Sequence, residues 1–281
     1  MPPPLEPPAD VASLFEAERA TLLRLLADLG PQDWHRRTPC PAWDVLELCC
    51  HLVGDDLSLL ARHRDGHAGT APPVGATEAE FHSWLDELQQ EWVRAARRLS
   101  PRLIVDLLAW SGPQLVELQA SQDPRRRTAF VEWAGPDPVP VWLDQVRELS
   151  EYWIHRQQLL QSLDRPSDLR TEVVRVLLDG LCWAYPHRLA TVPAQDGETI
   201  SIEVTGPVTA TWLLVAGGDG WDFRPEPGPQ LVARLTLTTE QGWRLLTNNL
   251  PAQDQDRLAL SGPPEITAVL RSTRAVLGTP S

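Results

Sequence analysis

The feature that most constrains this chain is a change in hydrophobic period along its length. Up to about residue 165, apolar residues recur every three or four positions, the spacing that lines one face of a helix. Beyond about residue 190 they alternate or gather in short β-branched runs, the pattern of half-buried strands. Val11 to Leu29 carries Leu14, Leu22, Leu25, Leu26 and Leu29 at helical spacing, and Gly30-Pro31 ends it. A second helix follows the turn Thr38–Trp43, opened by Asp44 with Glu47 three residues on, and runs to about Arg64. A third, from about Thr77 to Leu99, bears Phe81, Trp84, Leu88, Trp92 and Leu99. Short helical pieces and a loop are expected over Pro101 to Pro140, and another helix over about Val141 to Leu163. Four main helices imply a bundle.

Further on, Thr199–Thr205, Ala210–Ala216 and Leu231–Thr238 read as strands, separated by turn clusters such as Gly217-Gly218-Asp219-Gly220. Late helices are expected near Thr239–Thr247 and Pro264–Leu277. The expected fold is α+β. A helical bundle covers residues 8–165, a connecting helix (Thr171–Leu189) lies within 166–195, and a small α+β domain covers 196–281.

Composition removes several function classes. There are 38 acidic against 25 basic residues, a formal charge of −13. Duplex binding needs a positive surface that displaces phosphate counterions, and this balance opposes one. All the basic residues are arginine, which excludes a Schiff-base lysine and a P-loop lysine together. No GxGxxG or GxSxG run occurs, so dinucleotide binding and serine hydrolysis have no local signal. No apolar run approaches bilayer length, and the proline-rich, acidic start lacks a signal-peptide pattern. A cytoplasmic protein without nucleic-acid or membrane partners is expected. Its four cysteines, Cys40, Cys49, Cys50 and Cys182, should be reduced, and no CxxC pair supports a thiolate metal site.

The informative residues are polar ones set inside apolar helical stripes. Leu48, His51, Leu52, Asp55 and Leu59 share one helical face, and burying a histidine and an aspartate there is costly without partners. Arg147, Glu151 and His155 stand at successive i+4 steps, so the glutamate and histidine can converge on one ion. Zinc accepts imidazole nitrogen and carboxylate oxygen, and iron, manganese, cobalt and nickel accept the same donors. By itself a Glu-x-x-x-His pair is more often a solvated pair than a ligand set, and a lone His51 more often a satisfied core residue.

Two separated motifs change that balance. Thr38-Pro39-Cys40-Pro41-Ala42-Trp43-Asp44, followed by Leu48 and His51-Leu52, resembles the T-P-C-P-G-W…H-L signature of the mycothiol-dependent maleylpyruvate isomerase family. Arg147, Glu151, Trp153 and His155 resemble its second motif, R…E-x-W-x-H. The stretch from Glu198 to Gly278, with Gly220-Trp221 and Trp243-Arg244-Leu245, is similar to the family's C-terminal α+β domain, which resembles sterol carrier proteins. Ala42 departs from the pattern, where the family has glycine. The resemblance implies a DinB-like metal-binding helical bundle with His51, Glu151 and His155 as ligands of a divalent metal, zinc first among them. It further implies a low-molecular-weight thiol such as mycothiol, a small-molecule substrate, and a cis–trans isomerase or thiol S-transferase. Asp55 could orient His51, and Arg147 could pair with Glu151 or with a substrate carboxylate. A hydrolase using metal-activated water and a non-catalytic metal-dependent binding or sensor protein are the alternative readings.

Overall fold

The computed structural model describes residues 10–71, 73–75, 77–218 and 220–275. The proline-rich start, Asp219 of the glycine cluster and the end of the last expected helix, including Leu277, lie outside these residues. The order is mixed helix and sheet, helical in the N-terminal region and built on a sheet in the C-terminal one. Contacts group Ala12–Gln122 with Glu151–Ser167, and Asp123–Ser150 with the chain from Asp168 onward. This grouping differs from the ranges 8–165 and 196–281, because the division falls inside one long helix, between Ser150 and Glu151.

The helical unit holds α1 (Val11–Ala27), α2 (Val45–Leu59), α3 (Glu78–Ala96), α4 (Pro101–Ala120) and the second half of α5 (Val141–Ser162). α2 begins where its local chemistry dictates. The Glu47 amide donates to Asp44 Oδ1 at 2.9 Å and the Asp44 amide to Glu47 Oε2 at 3.0 Å, a reciprocal cap. α2 packs against α3 and α4 and buries Val45, Leu48, Leu52, Val53 and Leu59. Gly54 admits the Trp92 ring, since a Cβ there would lie 2.5 Å from it, and the Trp92 indole donates to the Cys50 carbonyl at 2.7 Å.

α4 corrects the expectation of short helical pieces: Pro101–Ala120 is one helix of 20 residues. Ser100 caps it, Pro101 stands at its start where a missing N–H costs nothing, and Pro113 lies on an exposed position inside it.

The other unit contains a two-stranded ribbon, β1 (Arg127–Ala129) with β2 (Val139–Pro140), and a five-stranded sheet. The sheet runs β5 (Gly220–Arg224), β4 (Ala210–Gly217), β3 (Glu198–Thr205), β6 (Gln230–Thr238), β7 (Ala259–Ser261). β3 pairs parallel with β6 and antiparallel with β4, with Ile200 opposite Leu214. β4 alternates strictly, burying Ala210, Trp212, Leu214 and Ala216. The expected helix Thr171–Leu189 is two, α6 (Thr171–Leu181) and α7 (Ala184–Leu189). Pro186 explains the break: it has no N–H for the Cys182 carbonyl, which accepts from the Tyr185 amide at 3.0 Å instead. α8 (Thr239–Leu246) packs on β3 and β6, while α10 (Pro264–Ser272), which follows the single turn α9 (Ala252–Gln255), packs on β6.

Candidate metal centre

The capped start of α2 sets the phase that turns His51 inward, where it is 4% exposed. Its ring stacks on Trp43 with centroids 4.8 Å apart and planes 25° from parallel. Trp43 is held by the preceding turn, whose Thr38 hydroxyl donates to the Trp43 carbonyl at 2.7 Å and accepts from the Cys40 amide at 3.1 Å. Among the described residues only Asp164 and Asn248 are non-glycines at positive φ, so Ala42 stands in this turn without strain.

On α5, Glu151 and His155 lie one turn apart, and Glu151 Oε2 is 3.3 Å from His155 Nε2 and 4.0 Å from His51 Nε2. The two imidazoles meet edge to face at 4.9 Å. One ligand atom from each of His51, Glu151 and His155 lies within 4.8 Å of the other two, the only such cluster of histidine, cysteine and carboxylate groups among the described residues.

Electrostatics set the two histidines apart. Burial, followed by the neighbouring His155, holds His51 down to about pKa 3, so its ring is neutral and offers a lone pair. For His155, burial alone would lower the pKa. Hydrogen bonds to Cys40 and Glu151 outweigh it and raise the ring well above the ordinary histidine value. His155 Nδ1 lies 2.8 Å from Gln158 Oε1. An amide oxygen can only accept, so Nδ1 carries the proton and Nε2 is the atom left to bind an ion. Two imidazole nitrogens and one carboxylate oxygen form a donor set that zinc accepts. By donor chemistry and spacing, the residues present fit a divalent metal.

Asp55 does reach His51, but at Nε2, with Oδ2 3.1 Å away, and thus at the nitrogen nearest Glu151 rather than at the opposite one. A single nitrogen cannot donate to Asp55 and bind a metal at once. Arg147 is surrounded by carboxylates, with Asp144 Oδ1 at 2.7 Å, Glu148 Oε1 at 2.8 Å and Glu132 Oε1 at 3.6 Å. The cysteines divide. Cys49, Cys50 and Cys182 are buried free thiols, and burial pushes all three up, Cys50 to about 11. Cys40 is partly exposed and donates to Gln158 Oε1 at 3.1 Å, beside His155. Gln158 and the Trp43 stack were not identified from sequence. The i+3 step from His155 to Gln158 was the available signal.

Residues 15–160 match the family model described as the mycothiol maleylpyruvate isomerase N-terminal domain, just over half of the chain. The chain belongs to this family. Two solved structures are similar. One is described as the crystal structure of the mycothiol-dependent maleylpyruvate isomerase, at 14% identity, covering 85% of this chain and 87% of that one, with a TM-score of 0.49. The other, an alanine-for-histidine mutant of an enzyme of the same name, covers 91% of this chain and 92% of its own at 14% identity and a TM-score of 0.50. At that identity the second likeness carries the fold alone, over 91% of this chain. No protein of curated function matches the sequence. Among the described residues no helix is long and apolar enough to cross a membrane.

Proposed function

We propose that this chain is a divalent-metal enzyme that uses a low-molecular-weight thiol of the mycothiol type. Its chemistry would be cis–trans isomerisation of a maleylpyruvate-like conjugated acid or transfer of the thiol to an electrophile. One observation carries the reading: the convergence of His51, Glu151 and His155 in a chain that belongs to this family. These three residues would hold the ion, zinc first, and a bound zinc ion would favour the thiolate form of a thiol near neutral pH.

The chain's own residues prepare that site. Burial keeps the His51 ring neutral, so it needs no net loss of a proton before it can act as a ligand. Gln158 fixes the His155 tautomer and ring plane. The Trp43 ring covers one face of His51 and keeps water from it. Asp55, close to the same His51 nitrogen, supplies a carboxylate that can take the proton of an incoming thiol.

The test is elemental analysis of the purified protein, followed by titration of the metal-loaded form with mycothiol. About one zinc per chain and thiol binding lost on chelation support the reading. A protein that takes up no metal after loading refutes it.

A further inference from the structure

Beside the candidate ligands, on the same helices and on α1, lies a layer of charge sealed from water. Arg19 is 4% exposed, Arg156 2%, and Glu18 and Asp56 0%. Arg19 grips Asp56 with both ends of its fork, at 2.9 and 2.7 Å, and donates to the Leu108 carbonyl at 2.9 Å. The hydroxyls of Ser111 and Tyr152 also donate to Asp56, and the Arg19 guanidinium lies 4.6 Å from the Tyr152 ring centre. Arg156 donates from Nε and Nη2 to the two oxygens of Glu18, the second at 3.1 Å.

The placement is systematic. Glu18 and Arg19 are neighbours on α1, yet one reaches α5 and the other α2. Asp56 follows Asp55 on the helix that carries His51. Tyr152 follows Glu151, and Arg156 follows His155. The chain also makes room for this arrangement: a Cβ on Gly112 would stand 2.8 Å from Arg19 Nε. Burying four charges is a poor route to stability, since apolar side chains of the same volume hold helices at least as well. A two-pronged guanidinium–carboxylate pair does something apolar packing does not, because it fixes direction and spacing at both ends.

We propose that α1 is the positioning element of the metal centre. Through Glu18–Arg156 and Arg19–Asp56 it sets the rotation and separation of α5 and α2, and so the spacing of His51 from Glu151 and His155. The inference rests on the metal reading above. None of these residues belongs to the His51–Glu151–His155 cluster, and all are positioning residues.

The test compares zinc dissociation constants, measured by competition with a chromophoric chelator, against the unfolding midpoint of the metal-free protein. Asp56→Asn and Arg19→Lys are expected to weaken zinc by roughly 10- to 100-fold, the range for outer partners of metal ligands. Arg19→Lys keeps the charge and loses the fork, so it separates direction from charge. Tyr152→Phe removes one hydroxyl and leaves the ion pair. It should fold even where Asp56→Asn does not, and weaken zinc by a few-fold. Val93→Ala, in the α3 core at 0% exposure, is the control, expected to lower the midpoint while changing the zinc constant less than twofold. Positioning variants that weaken zinc no more than this control overturn the proposal and leave the metal reading standing. A wild-type chain that binds no zinc overturns both.

Discussion

The two halves of this molecule treat buried polarity differently. From residue 168 onward, the buried polar side chains among the described residues are all hydroxyls: Thr199, Ser201, Thr239, Thr247 and Thr273. The threonines bond to backbone groups, and Ser201 donates to the Glu203 carboxylate. Thr239 Oγ1, for example, accepts from the Val208 amide and lies 3.1 Å from the Thr205 carbonyl oxygen. The helical unit instead buries Glu18, Arg19, His51, Asp56 and Arg156. Hydroxyls satisfy loose ends at little desolvation cost, whereas buried charges cost several kcal/mol each before pairing. The part of the sheet unit from residue 168 onward shows that this chain can build a core without them. Charge in the helical unit is therefore better explained by what it places than by how strongly it holds.

The largest effect should come from removing a ligand. Glu151→Ala is expected to weaken zinc by on the order of 1000-fold, about 4 kcal/mol. The Glu151 side chain is 28% exposed, so circular dichroism should report an intact fold. Stoichiometric zinc retained in that variant would remove Glu151 from the site. Trp243→Ala probes the opposite half. Trp243 is 1% exposed, and its loss should cost about 3–5 kcal/mol in denaturant unfolding through cavity formation alone. A loss below about 1 kcal/mol would mean that the sheet core is not the packed structure described. Gly112→Ala is smaller. The added methyl meets the Arg19 guanidinium at 2.8 Å, and displacing it should cost about 1–3 kcal/mol. A stabilised variant, the usual result of glycine to alanine in a helix, would show that Arg19 yields without consequence.

What could be read from sequence was what is local. The Asp44–Glu47 cap joins residues three apart, and the strands β3, β4 and β6 announce themselves by alternation. The short strands β5 and β7 are too brief to show a period, and β5 begins within the glycine cluster that reads as a turn. α4 is longer than the short pieces expected there: Gly112 and Pro113 lie inside it although such residues usually punctuate a helix, and Gly112 leaves room for the Arg19 side chain from α1. The same distinction holds at the site. Glu151 and His155 share a face by their spacing, and the two motifs pointed to His51. The partners Glu18 and Arg156, 138 residues apart, have no signature in sequence because the pairing exists only once the helices pack.

The last prediction separates the two histidines by their protons. His51, at about 3, is neutral at any working pH, whereas His155 is raised and binds a proton at Nε2 in the metal-free protein. An ion must displace that proton and no other from the imidazoles. From about pH 6, above the carboxylate range, up to the His155 value, zinc affinity should rise about tenfold per pH unit and then level off. Calorimetry in buffers of different ionisation enthalpy should count close to one proton released over the same window. A flat profile would mean that His155 is already unprotonated or is not a ligand. A slope near two would mean that His51 is protonated as well, and that burial against Trp43 does not keep it neutral.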